Sequence, residues 1–169
     1  MKYLAIPLLA LATPAFANSV DIVGNVAAKC VIQTTKTGAY GNPTPSKLST
    51  SASDGGILPE IRIDVAIANS YTANITYPTS FTSSPSLNDV VTWTGSVAVS
   101  NTSDAGMSGY DSAKTVSGAT TSYSLTTAGS TWFTVSSVAE YGGGSNKPFT
   151  GGTYIAQTTA SCIPNEKHL

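Results

Sequence analysis

NSVDIVGNVAAKCVI, residues 18–32, is the stretch on which the reading of the fold turns. Counting by twos from Val20 gives Val20, Ile22, Gly24, Val26, Ala28, Cys30 and Ile32, all apolar or small; the other parity mixes Ser19, Asp21, Val23, Asn25, Ala27, Lys29 and Val31. A period of two places the first set on one face of an extended strand. Such a strand has two destinations. It can complete its own domain, or it can reach into a neighbour's.

Upstream, residues 1–17 carry a basic Lys2, an apolar run over residues 3–12 and the small-x-small ending Ala15-Phe16-Ala17. This is the pattern of a bacterial secretory signal, too short to span a bilayer permanently, and it is excluded from the fold. Removing it leaves roughly 150 residues, the size of one domain with a full core. No later segment is apolar enough to cross a membrane, so the chain is expected in the periplasm in transit and then outside the cell.

Charged residues make up only 10% of the chain and the net charge is −1. Nucleic-acid binding rests on many Lys and Arg neutralising phosphates, and a polybasic membrane patch needs the same. Neither has material here. The two cysteines, Cys30 and Cys162, sit in a chain bound for an oxidising compartment, so one disulfide between them is expected. It would bring the first and last strands together.

Working outward along the chain, residues 33–58 are rich in Thr, Ser, Gly and Pro without an apolar period, and read as a long loop with at most a short edge strand. The run EIRIDVAIAN then sets Ile61, Ile63, Val65 and Ile67 against Arg62, Asp64, Ala66 and Ala68, the cleanest half-buried strand in the chain. Tyr71, Ala73, Ile75 and Tyr77 alternate until Pro78 stops them. Residues 79–88 read as a connection. Val91, Trp93, Gly95, Val97 and Val99 share the next face, where Gly95 predicts a bulge or a close approach by another backbone. Weaker strands follow near 114–117 and 121–126, then one over 131–138 with Trp132 and Phe133, whose inward member the spacing does not decide. GGTYIAQTTASC ends the series, with Tyr154, Ala156, Thr158, Ala160 and Cys162 on one side. Roughly seven or eight strands with turns between them and no convincing helix predict an all-β antiparallel sandwich.

Catalytic material is scarce. The single His is His168, next to the chain end, so Ser-His-Asp triads and His-rich zinc sites are not built from this sequence. Glu60 and Asp64 flank Arg62 on the face read as solvent-exposed, and nothing points to a carboxylate pair facing one cleft. The 104–111 loop holds two acids, Asp104 and Asp111, without the spacing of a known calcium loop. Tyr71, Tyr77 and Trp93 read as packing residues. No cofactor, metal or enzymatic activity is expected.

Both ends of this pattern are similar to those of chaperone–usher pilus subunits, including spore-coat-U-like fimbrial domains. The likeness lies in an alternating amino-terminal strand with a central small residue running into a Cys (SVDIVGNVAAKCVI), an all-β body, and a terminal strand introduced by Gly-Gly-Thr-Tyr (FTGGTYIAQTTAS). The resemblance implies an immunoglobulin-like antiparallel β-sandwich lacking its final strand, completed by the amino-terminal strand of the next subunit; pilus subunits are among the known examples of such strand addition. It implies residues 18–29 as donor strand, with Val20, Ile22, Gly24 and Val26 as the inserted positions, and residues 30–169 as the pilin-like body. The acceptor groove would be edged by Val31 and Ile32 on one side and by Tyr154, Ala156, Thr158 and Ala160 on the other. Its implied partners are copies of the same chain in a surface fibre, a periplasmic chaperone and an outer-membrane usher. The competing expectation is a secreted, self-complete sandwich that binds a glycan or host surface through residues 79–88 or 101–112.

Overall fold

Ile61, Ile63 and Val65 all turn inward and are buried, and the strand that carries them is the hinge of the topology. The computed structural model describes residues 29–165. These contain β1 (Cys30–Lys36), β2 (Gly41–Thr44), β3 (Lys47–Ser49), β4 (Glu60–Val65), β5 (Tyr71–Thr76), β6 (Phe81–Ser83), β7 (Val91–Thr102), a short α1 (Tyr110–Ala113), β8 (Thr115–Ser117), β9 (Thr120–Leu125), β10 (Gly129–Tyr141), β11 (Ile155–Ala156) and β12 (Thr159–Pro164).

Every pairing is antiparallel, and two main sheets face one another. The first is organised by β10, a 13-residue strand that pairs with β7 from Thr131 to Tyr141 along one edge. Its other edge is shared: β4 takes the first half, with β1 beyond it, and β3 takes the second half, with β2 beyond that. The second sheet runs β12-β5-β9-β8, and β6 and β11 form a small separate pair. Between the sheets lie Ile63, Ala73, Ile75, Val97, Tyr123, Leu125, Phe133 and Val135, all sealed from solvent. Burying each large aliphatic or aromatic side chain contributes about 1.5–3 kcal/mol. The Tyr123 and Phe133 rings meet at 4.7 Å across the two layers.

The all-β antiparallel sandwich expected from the alternation is what the chain forms, with particular departures. Residues 33–58 are not one loop. β1 runs on to Lys36, and β2 and β3 make a hairpin that docks on the far half of β10. Its buried residues are mostly small and polar: Ser49 and Thr50 are enclosed, with the Thr50 N–H donating to the Ser137 carbonyl at 3.0 Å and the Ser137 N–H returning to Thr50 Oγ1 at 2.9 Å. Hydrogen bonding rather than apolar burial holds this hairpin, so hydropathy alone misses it.

Ile67 does not join Ile61, Ile63 and Val65. The strand ends at Val65, the chain turns through Asn69 at φ 60°, and Ile67 is left exposed. In β10 the inward aromatic is Phe133, while Trp132 faces out under the Arg62 guanidinium, 5.2 Å from its ring centre. Gly95 sits in regular register with Ser137; the irregularity in β7 falls at Ser100 instead. A Cβ on Gly95 would come within 2.5 Å of the Ser136 carbonyl oxygen and 2.6 Å of the Tyr77 ring, so the glycine serves a close approach rather than a bulge. The final strand divides at Gln157 and Thr158: β11 pairs with β6 and β12 with β5, although the alternation from Tyr154 to Cys162 holds throughout.

Candidate functional site

The two sheets do not close equally on both sides. On one side, β1 pairs with β4 alone and β12 with β5 alone among the described residues, so each presents an unpartnered edge at the same seam. Register fixes which side chains face the core there. Cys30, Ile32 and Thr34 lie opposite Val65, Ile63 and Ile61, and Ala160 and Cys162 lie opposite Ile75 and Ala73. Residues directly opposite in an antiparallel pair share a face. Ile32 therefore points inward, yet it is 38% exposed while its partner Ile63 is 1% exposed. Ala160 and Cys162 are likewise half-exposed beside fully buried partners. The core is open along this line.

One end of the seam is stapled. The Cys30–Cys162 disulfide joins the edge strands of the two sheets with Cα atoms 6.3 Å apart, across 132 positions of sequence. Closing a loop that long stabilises the fold by about 5 kcal/mol in the chain-entropy account. From the staple, β1 runs toward Lys36 while β12 is followed backward toward Thr158 and Ala156, and these segments line a cleft of about 520 Å³. Thr34 and Lys36 form one wall, Tyr154, Ala156 and Thr158 the other, with Ile61 and Ser137 between them. Lys36 is the one charged residue of this lining.

The predicted site residues fall as follows. Val20, Ile22, Gly24 and Val26 lie outside the described residues. Cys30 and Cys162 are bonded. Val31 is on the edge strand but opposite Asp64, so its side chain is on the outer face and exposed. Ile32 and Ala160 face into the seam; Tyr154, Ala156 and Thr158 line the cleft. Tyr154 also joins a satellite cluster with Phe81 and Phe149, at 5.0 and 5.1 Å, and donates its hydroxyl to the Thr150 carbonyl at 2.6 Å.

Sequence reasoning missed the wall after β1. Gly38 packs where a Cβ would meet the Pro59 ring at 2.7 Å, and the Tyr40 hydroxyl lies 2.9 Å from Ser137 Oγ. Burial pushes the Tyr40 hydroxyl above its ordinary range, so it stays neutral and hydrogen-bonding. No apolar period runs through these residues; the glycine next to a distant proline is visible only in three dimensions.

The other candidates are absorbed by the fold. Glu60 accepts hydrogen bonds from Thr35 at 2.8 Å and Ser100 at 3.0 Å, and Arg62 pairs with Asp64 at 2.7 Å, all on the outer face. In the 104–111 loop, Asp104 accepts from the Gly106 N–H at 2.7 Å. Asp111 accepts from the Val99 N–H at 3.1 Å and pairs with Lys114 at 3.1 Å. Met107 and Tyr110 of the same loop are core residues, and Phe81 anchors residues 79–88 against Trp93 at 4.7 Å. Among the described residues no cluster of three or more His, Cys, Asp or Glu is present, and no helix is long and apolar enough to cross a membrane. Comparison with protein-family models, with curated proteins and with solved structures finds no match.

Proposed function

We propose that this chain is a structural subunit of a bacterial surface fibre, a pilus or fimbria, assembled by donor-strand complementation and serving adhesion or biofilm formation rather than catalysis. The observation that carries the reading is Ile32: a core-facing side chain on an edge that has no partner strand among the described residues, 38% exposed next to a sealed neighbour. An added strand would hydrogen-bond to the free edges and cover Ile32 and Ala160 in one step. The sequence offers such a strand in residues 18–29, with Val20, Ile22, Gly24 and Val26 on its apolar side. Each inserted Val or Ile would contribute about 1.5–3 kcal/mol on burial.

In this reading the exported subunit is held in the periplasm by a chaperone that covers the same seam, is passed to an outer-membrane usher, and ends in a fibre of its own copies. Deleting residues 18–26 tests it. The full exported chain should form multimers that survive mild denaturant, and the deletion variant should remain monomeric. A deletion variant that multimerises as before overturns the reading. A full chain that is monomeric and no more stable than the deletion variant favours a self-complete sandwich.

A further inference from the structure

The side of the sandwich opposite the seam is bounded by β7 and β8, and there the chain supplies its own cover. Among the described residues β7 pairs with β10 alone, so its other edge has no partner strand. The Val97 carbonyl and the Val99 N–H are nevertheless taken up, and by side chains. Both Asp111 carboxylate oxygens accept from the Val99 N–H at 3.1 Å, while the Lys114 ammonium and the Tyr123 hydroxyl donate to the Val97 carbonyl at 2.9 and 3.0 Å. Asp111 and Lys114 also pair with each other at 3.1 Å. The segment that carries them is anchored in the core: Met107 and Tyr110 are buried, and the Tyr110 hydroxyl accepts the Thr127 N–H at 3.0 Å. Three side chains thus stand where an added strand would place its backbone.

The strand so covered is one that needs it. β7 reads VTWTGSVAVSNT, with no Lys, Arg, Asp, Glu or Pro in its 12 residues. Uncharged strands rich in β-formers pair with like strands when their edges are bare, and proteins protect such edges with charges, Lys above all, or with a covering loop. β7 has no charge of its own to do this. Asp111 and Lys114 bring one of each sign to its edge from a different segment. We propose that Asp111, Lys114 and Tyr123 form an autoinhibitory plug that keeps the β7 edge of one copy from pairing with the β7 edge of a second. That partner is singled out because an antiparallel contact between two β7 strands is isologous: the edge is its own complement, and no second surface is required. The inference concerns the side of the sandwich away from β1 and β12 and does not rest on the donor-strand reading.

The test uses the full exported chain carrying Asp111→Ala with Lys114→Ala, and a photo-crosslinking residue at position 94, which is exposed on β7. Adducts between copies are mapped by mass spectrometry, and amide hydrogen exchange is followed residue by residue. Adducts joining β7 to β7 should form in the double variant and not in the parent, and exchange at Val99 should quicken roughly tenfold or more. The Val135 N–H, bonded to the Pro59 carbonyl at 3.1 Å, should stay protected and report an intact fold. Should Val135 lose protection too, the single Lys114→Ala variant decides, since it leaves Asp111 and Tyr123 in place: β7-to-β7 adducts above the parent level support the plug, and their absence overturns it. Faster exchange at Val99 without β7-to-β7 adducts overturns the proposal and leaves the three side chains a structural contact only. Adducts of that kind in the parent, or unchanged exchange at Val99 in the double variant, overturn it as well. Because the probe sits on β7, multimers formed through the seam do not enter the count.

Discussion

The middle of β10 and the seam between β1 and β12 are written in the same sequence language and end in opposite states. Phe133 and Val135 are the inward members of one alternation and are sealed; Ile32 and Ala160 are the inward members of theirs and remain partly in solvent. The difference is neighbours. β10 has strands along both edges and a second sheet over its face, whereas β1 and β12 each have a strand on one edge only among the described residues. Alternation thus specifies which side of a strand is meant to be covered, and topology decides whether the chain supplies the cover.

That contrast can be broken or sharpened by substitution. Phe133→Ala should have the largest effect, a loss of about 3–5 kcal/mol in urea melts of the monomer and of the proposed multimer alike, because the cavity opens in a core that both would share. Gly95→Ala should cost about 1–3 kcal/mol, as the Tyr77 ring and the Ser136 carbonyl must move to admit one methyl; recovery in a Gly95→Ala, Tyr77→Leu pair would show that the ring is the obstacle. Ile32→Ala should split by state: under about 1 kcal/mol in a monomer whose seam is open, and about 2 kcal/mol against dissociation of the proposed multimer. Equal losses in both states would mean that the seam is already closed in the monomer.

The smallest effect is one of pH. Burial, with the Asp111 carboxylate 3.2 Å away, pushes the Tyr123 hydroxyl well above its ordinary value of 10.0. The folded chain therefore holds this tyrosine neutral where the unfolded chain would ionise it. Its contribution is complete below pH 10.0 and declines as pH rises beyond that value. Tyr123→Phe should cost about 1 kcal/mol at neutral pH through the lost hydrogen bond to the Val97 carbonyl, and its stability should fall less steeply above pH 10 than that of the parent.

Much of the sandwich was legible because its strands are apolar on one side. Ile61, Ile63 and Val65, Ala73 and Ile75, and the continuous alternation from Tyr154 to Cys162 follow from parity alone. What was not legible rests on contacts between distant positions. The β2–β3 hairpin is held by Ser49, Thr50 and Ser137, residues whose burial no hydropathy pattern announces. Ile67 looked like a core residue because parity carries no stop signal, and the turn at Asn69 ends the strand first. The choice between Trp132 and Phe133 was undecidable because either aromatic suits a strand; the pairing of Phe133 with Ile61 puts it on the buried face. For the site, Ile32 and Ala160 were readable as apolar positions near the two ends, while the wall formed by Gly38, Pro59 and Tyr40 was not.

The sharing of β10 between two end-to-end partners has a kinetic consequence. Its pairings with β3 and β4 join segments many tens of residues apart, and β12, the last strand, supplies the second sheet's edge. A chain made amino end first can form the β1–β4, β2–β3, β5–β9 and β8–β9 ladders early, but none of those to β10 or β12 until residues beyond 129 have emerged, and long-range strand pairing is slow, on the order of milliseconds to seconds. For that interval the edges of β3, β4 and β5 that face their later partners, and all of β7, wait as bare templates, open to mispairing until β10 and β12 arrive.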